Sequence, residues 1–172
     1  LKMITDLGLE DASACTTLAT TGQPIAYPDE APVAGCVYEN IYSFGSRSFT
    51  IWNMDPGRPV FDSGSDAEVI TAQQLGGSFN ASNDSNDGDD RSDDKGPEPE
   101  AVEIATINGN TFAFVALERV GGVMVYNISN PQGAEFVQDV NPRDFTVDDD
   151  AVEANLAGPL GPEDIKFITQ DG

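Results

Sequence analysis

Residues 111–137 read TFAFVALERVGGVMVYNISNPQGAEFV, and this stretch decides the fold class. A run rich in aromatic and β-branched residues (111–117) meets the five-residue turn Glu118-Arg119-Val120-Gly121-Gly122. A second run (123–128) follows, then the turn Ser129-Asn130-Pro131-Gln132-Gly133, then a third run (134–137). Short runs of this composition, bounded by Gly, Pro and Asn, are the pattern of antiparallel strands joined by tight turns. A helix would need apolar residues recurring every three or four positions, and that periodicity is hard to find anywhere in the chain.

Upstream, the same grammar recurs. Runs at 41–44 and 48–52 flank Gly45-Ser46-Arg47, a turn occupies 53–58, and a third run covers 59–61. In both stretches the second strand ends on an aromatic residue and Asn, as Trp52-Asn53 and Tyr126-Asn127. A further echo is Gly96-Pro97-Glu98 before the apolar run 102–104, and Gly161-Pro162-Glu163 before 165–167. Repeated antiparallel meanders are the mark of propeller blades. The expectation is an all-β chain of β-propeller-type antiparallel meanders, about two to three blades of a larger propeller, with each GPE triplet opening an innermost strand. A different sandwich or barrel is the competing architecture.

The division expected is an N-terminal loop-rich segment, 1–40, followed by a partial propeller, 41–172, with an acidic insertion at 80–99. Cys15 and Cys36 enclose 20 residues with no strand or helix periodicity. An even pair without metal-type spacing favours a disulfide over ligands, and closing that loop would stabilise by about 3 kcal/mol. Two unpaired thiols are the alternative. A disulfide would place the protein in an oxidising, exported compartment.

The 172 residues carry 30 acids, 8 bases and no histidine, a formal charge of −22. Such a surface repels phosphate backbones and anionic lipid, which excludes nucleic-acid binding and electrostatic membrane adsorption. Without histidine there is no Ser-His-Asp or Cys-His catalysis and no His-ligated zinc. Apolar stretches fall far short of the roughly 18 residues of a membrane span. Divalent cations, a saline medium or a basic partner suit the charge.

Twelve of the acids lie in two stretches, seven in residues 80–99 and five in residues 144–153. Residues 83–94, NDSNDGDDRSDD, supply oxygen ligands of the type calcium takes. With Gly88 in sixth place, however, an EF-hand register would begin on Asn83 and end on Asp94, so the loop is no EF-hand. A looser calcium loop would use Asp87, Asp89, Asp93 and Asp94, against the plainer reading of a solvated acidic surface loop, ordered only if something neutralises it. Glu98 and Glu163, in the two GPE triplets, would stand at one mouth of a propeller channel as metal ligands. Alternatively, Arg47, Lys95 and Arg119 pair with the surplus carboxylates there and tie blade to blade. Asn80, Asn83 and Asn127 match the glycosylation acceptor pattern. The aromatics Phe44, Phe49, Trp52, Phe112, Phe114, Tyr126 and Phe136 are assigned to packing between blades.

The string at residues 92–131, SDDKGPEPEAVEIATINGNTFAFVALERVGGVMVYNISNP, resembles the core of the choice-of-anchor I family of exported β-propeller proteins. YSFGSRSFTIWN (42–53) and LGPEDIKFI (160–168) resemble that family's motifs in the same order. The resemblance implies a propeller on secreted or surface-anchored proteins, some labelled phosphatase-like, and a whole propeller longer than this chain. The remaining blades would come from other residues or another protein chain. The functional expectation is an extracellular or cell-surface module for adhesion or assembly, stabilised by calcium. A calcium-dependent phosphoesterase and a subunit of an extracellular filament or coat are the alternatives.

Overall fold

The computed structural model describes Gly45 and residues 47–169. Cys15, Cys36, the segment 1–40 and the run 41–44 therefore lie outside the described residues. The chain forms β1 (Thr50–Asn53), β2 (Arg58–Asp62), helix α1 (Asp66–Leu75), a 3-10 turn (Gly76–Ser78), β3 (Pro99–Ile107), β4 (Asn110–Leu117), β5 (Val123–Asn127), β6 (Glu135–Val140) and a short helix α2 (Asp149–Glu153). β1 and β2 make an antiparallel hairpin, and β3-β4-β5-β6 form one antiparallel sheet in sequence order, with β3 and β6 at its edges. The fold is all-β, as the sequence predicts. None of the described helices is long and apolar enough to cross a membrane.

Local sequence sets the turns of the meander. Asn108 and Gly109, at φ 52 and 83, take the left-handed conformations of a two-residue hairpin loop, and the register runs from Ile107↔Asn110 down to Pro99↔Leu117. Between β4 and β5, Gly122 at φ 87 leaves no space for a side chain. A Cβ there would lie 2.9 Å from that of Asn141, whose Nδ2 donates to the carbonyls of Val120 (3.1 Å) and Gly121 (3.0 Å).

Alternation along the strands gives the sheet two faces. On the first, Val115, Leu117, Met124 and Tyr126 are buried together with Val120 and with Ala67 of α1, and Phe49 and Ile70 pack against them. Burying such side chains stabilises by about 1.5–3 kcal/mol each. The Phe49 ring meets Tyr126 edge-on at 4.7 Å and Phe61 at 5.7 Å, so the β1–β2 hairpin covers this face. The buried Tyr126 hydroxyl donates to Asp66 Oδ2 at 3.2 Å, and its pKa is raised by burial first and by the Asp66 charge second. On the second face, Phe114 stacks on Phe167 at 6.2 Å, and the Phe167 N–H donates to Glu103 Oε1.

Two expectations need correction. Helix α1 was not anticipated. Its buried stripe is only Ala67 and Thr71, one turn apart and both small, so the sequence carries almost no apolar period there. The second GPE triplet opens no strand: residues 161–169 have no regular structure. A strand exists by pairing, and this segment lies across the face of β3 and β4 rather than along an edge.

At the sheet's other edge, Asp139 of β6 sits opposite Met124 of β5, with Oδ1 buried and without a hydrogen-bond partner. Burial pushes its carboxyl from the ordinary 3.8 up to about 6, against a smaller opposing effect of a backbone hydrogen bond from Val140. A folded-state pKa above the unfolded one means that the folded state holds the proton more tightly, so this group's contribution to stability is lost as pH rises from about 4 to about 6. Asp139→Asn is therefore expected to melt about 2–4 °C above the parent at neutral pH, with the difference vanishing below about pH 4, in paired thermal scans.

Candidate functional site

A loop with seven acids among residues 80–99 keeps one conformation only if positive charge reaches it. Five of the chain's eight bases do so: Arg47, Arg91, Lys95, Arg119 and Arg143. The Arg143 side chain, buried in a residue only 5% exposed, donates to the carbonyls of Ser82 (2.7 Å) and Ser85 (2.7 Å) and to Asn86 Oδ1 (3.1 Å), and it lies 4.9 Å over the Phe145 ring. Burial lowers its pKa, but an arginine stays charged throughout. Arg47 donates to the carbonyls of Ser92 (2.7 Å) and Asp94 (2.8 Å) and pairs with Glu68 of α1.

Asn86 joins the two acidic stretches that are separate in sequence. Its N–H donates to Asp149 Oδ1 (2.9 Å), and its Nδ2 to the carbonyls of Asp144 (3.2 Å) and Val147 (2.8 Å). Gly88 is required for space and not for a special φ. A Cβ there would collide with the Gly77 carbonyl, so the loop backbone lies directly on the 3-10 turn.

Glu98 is the centre of the arrangement. It is 3% exposed and sits at φ 59, a left-handed conformation that costs a non-glycine residue roughly 1 kcal/mol. Its Oε1 pairs with Lys95, and its Oε2 with Arg119 Nε (2.8 Å) and more distantly with Arg91 Nη2 (3.8 Å). Arg119 also donates to Asn83 Oδ1 at 3.0 Å and pairs with Glu118 at 3.0 Å. The Glu98 carbonyl accepts from Glu118 N–H (2.9 Å), continuing the β3–β4 ladder by one residue pair.

Among the described residues, the carboxylates close enough to share a cation are Glu98, Glu100 and Glu118, with oxygens within 4.8 Å of one another. Asp87, Asp89 and Asp93 are exposed, and Asp94 is half-buried and paired with Arg91 at 3.0 Å. Glu163 is exposed. Its neighbour Gly161 lies beside Asn83 and the Glu118 carbonyl, which brings the second GPE triplet to the rim of the first. Glu118 is the residue that sequence reading missed. Counting back along the hairpin from Asn108-Gly109 would set Pro99 against residue 118; the irregularity between Pro99 and Ala101 moves Pro99 onto Leu117 and so sets residue 118 against 98.

Of the glycosylation candidates, Asn80 is corrected by burial. It is 1% exposed, and its amide donates to Ser92 Oγ (3.0 Å) and Glu68 Oε1 (3.4 Å), leaving no room for a glycan. Asn83 and Asn127 are half-buried, with Oδ1 accepting from Arg119 and from Ser129 N–H respectively.

A family model of the choice-of-anchor I domain matches residues 20–131. Gigasin-3a from Magallana gigas is 28% identical over 139 residues, covering 76% of this chain and 49% of that protein, so the chain spans about half the length of this curated relative. No solved structure matches the chain.

Glu98→Gln removes the charge that holds Lys95 and Arg119 but keeps the side chain's shape. Its expected cost is about 2 kcal/mol in urea unfolding, below the full penalty of a buried pair because both cations are partly exposed. Glu100→Gln, at an exposed position, is expected to stay within about 0.5 kcal/mol of the parent.

Proposed function

Because the chain belongs to the choice-of-anchor I family of exported, surface-associated β-rich domains, we propose that it is part of an extracellular β-propeller acting in adhesion or assembly. The observation that carries this reading is the way the four-stranded sheet is flanked. The preceding β1–β2 hairpin lies on one face through Phe49 and Tyr126, and the following segment lies on the other through Phe167 and Phe114. Consecutive units laid face to face along the chain are how propeller blades stack. The covering is incomplete: Val102 and Ile104 on edge strand β3 are 57% and 60% exposed. In this reading, further blades, from additional sequence or another chain, complete it. Calcium acts as a stabiliser at the Glu98, Glu100 and Glu118 carboxylates, in the weak range of extracellular modules.

Two measurements test the proposal. In light scattering, the isolated chain is expected to exceed its 18.2 kDa monomer mass as concentration rises, and a Val102→Lys, Ile104→Lys variant to return toward it; a parent monomeric at every concentration removes assembly through this face. In calorimetry, millimolar calcium is expected to raise the melting temperature over EDTA, and Glu100→Gln to abolish the rise. Equal melting temperatures remove calcium.

A further inference from the structure

The β1–β2 pairing contains one irregularity. Ile51 pairs with Phe61 and Trp52 with Pro59, so Val60 bulges out of register. Bulges re-aim the side chains around them. Here the indole of Trp52, the chain's single tryptophan, is 54% exposed. The sequence assigns it to packing between blades, as it does Phe49 and Phe114, which do pack on other rings; among the described residues Trp52 meets no other ring.

With Ile51, Val60 and Pro131, Trp52 forms the apolar side of an open groove of about 500 Å³ between the hairpin and the β5–β6 turn. Its polar side is made of amides, from Asn53, Asn130 and Gln132, and among the described residues no lining residue carries a charge in a chain of −22. The amides are oriented by the backbone. Asn53 Oδ1 accepts from Asp55 N–H (3.1 Å) and Asn130 Oδ1 from Gln132 N–H (3.3 Å), which fixes how both amides are turned, the Asn130 NH2 group lying beside Gly133. Among the described residues those NH2 groups have no acceptor, and the Gln132 side chain makes no hydrogen bond.

We propose that this groove binds a neutral saccharide, whose C–H face lies on the Trp52 indole while its hydroxyls accept from the amides of Asn53, Asn130 and Gln132. A sugar ring presents an apolar face and a hydroxyl edge together, as the groove does. An acidic polysaccharide would meet the repulsion of the whole chain. A purely apolar ligand would strip water from three amides and return nothing.

The test uses Trp52 as its own reporter: fluorescence titration of the full chain with cellohexaose, xylohexaose, chitohexaose and, as a peptide probe, decaproline. At least one hexasaccharide is expected to change the emission saturably. Gln132→Ala, and Asn53→Asp, which keeps the acceptor for Asp55 N–H but removes the donor, are each expected to weaken binding about fivefold with unchanged melting temperature. The proposal is overturned if none of the three sugars gives a saturable response, if both variants bind as the parent does, or if decaproline alone binds. The last outcome assigns the groove to extended peptides.

Discussion

A carboxylate buried at a left-handed backbone position is held in place by its counter-ions, and Glu98 is that group in this protein. Lys95 and Arg119 sit on its two oxygens, and the same arginine reaches Asn83 and Glu118. One side chain thereby fastens the end of the acidic loop, the start of β3 and the turn after β4. The attraction between partly buried charges offsets both the desolvation of the carboxylate and the strain of its backbone.

The net charge takes on a different meaning in that light. A value of −22 is the excess left after five bases have been committed to a single loop, where two of them, Arg47 and Arg143, bind backbone carbonyl oxygens. Arginine suits this use, because its planar fork can satisfy two or three backbone acceptors at once and remains charged when buried. The exposed acids Asp87, Asp89 and Asp93 stay in water at the loop's outer surface. The Trp52 groove is lined, among the described residues, without any charge. The protein thus separates a charged, self-neutralised region from a neutral one.

Strands and turns were legible wherever the information is local. The aromatic and β-branched runs before and after Gly121-Gly122 became β4 and β5 nearly residue for residue; the Asn108-Gly109 turn in front of them, which the reading did not single out, came from the structure. Helix α1 was not legible, because its contact with the sheet uses one narrow stripe of small residues. Residues 165–167 have strand composition, yet strand structure requires a neighbour that composition does not supply. The candidate site was half legible. Glu98 and its partners Lys95 and Arg119 were named, and Arg47 with them, whereas Glu118 emerges only from the register, and Arg143 from contacts across about 60 residues.

The sequence alone determined the antiparallel class, the turn positions, the exclusion of histidine chemistry and the concentration of acid in two stretches. All of these follow from residue type and near-neighbour spacing. Only the tertiary structure decided which charges meet: that Glu98 is buried among cations, that Asn86 joins the two acidic stretches, and that Trp52 faces solvent beside free amides. Charge pairing and burial depend on distances across the fold, and these are set by sheet register and by how the hairpin and loop lie on the sheet, not by separation along the chain.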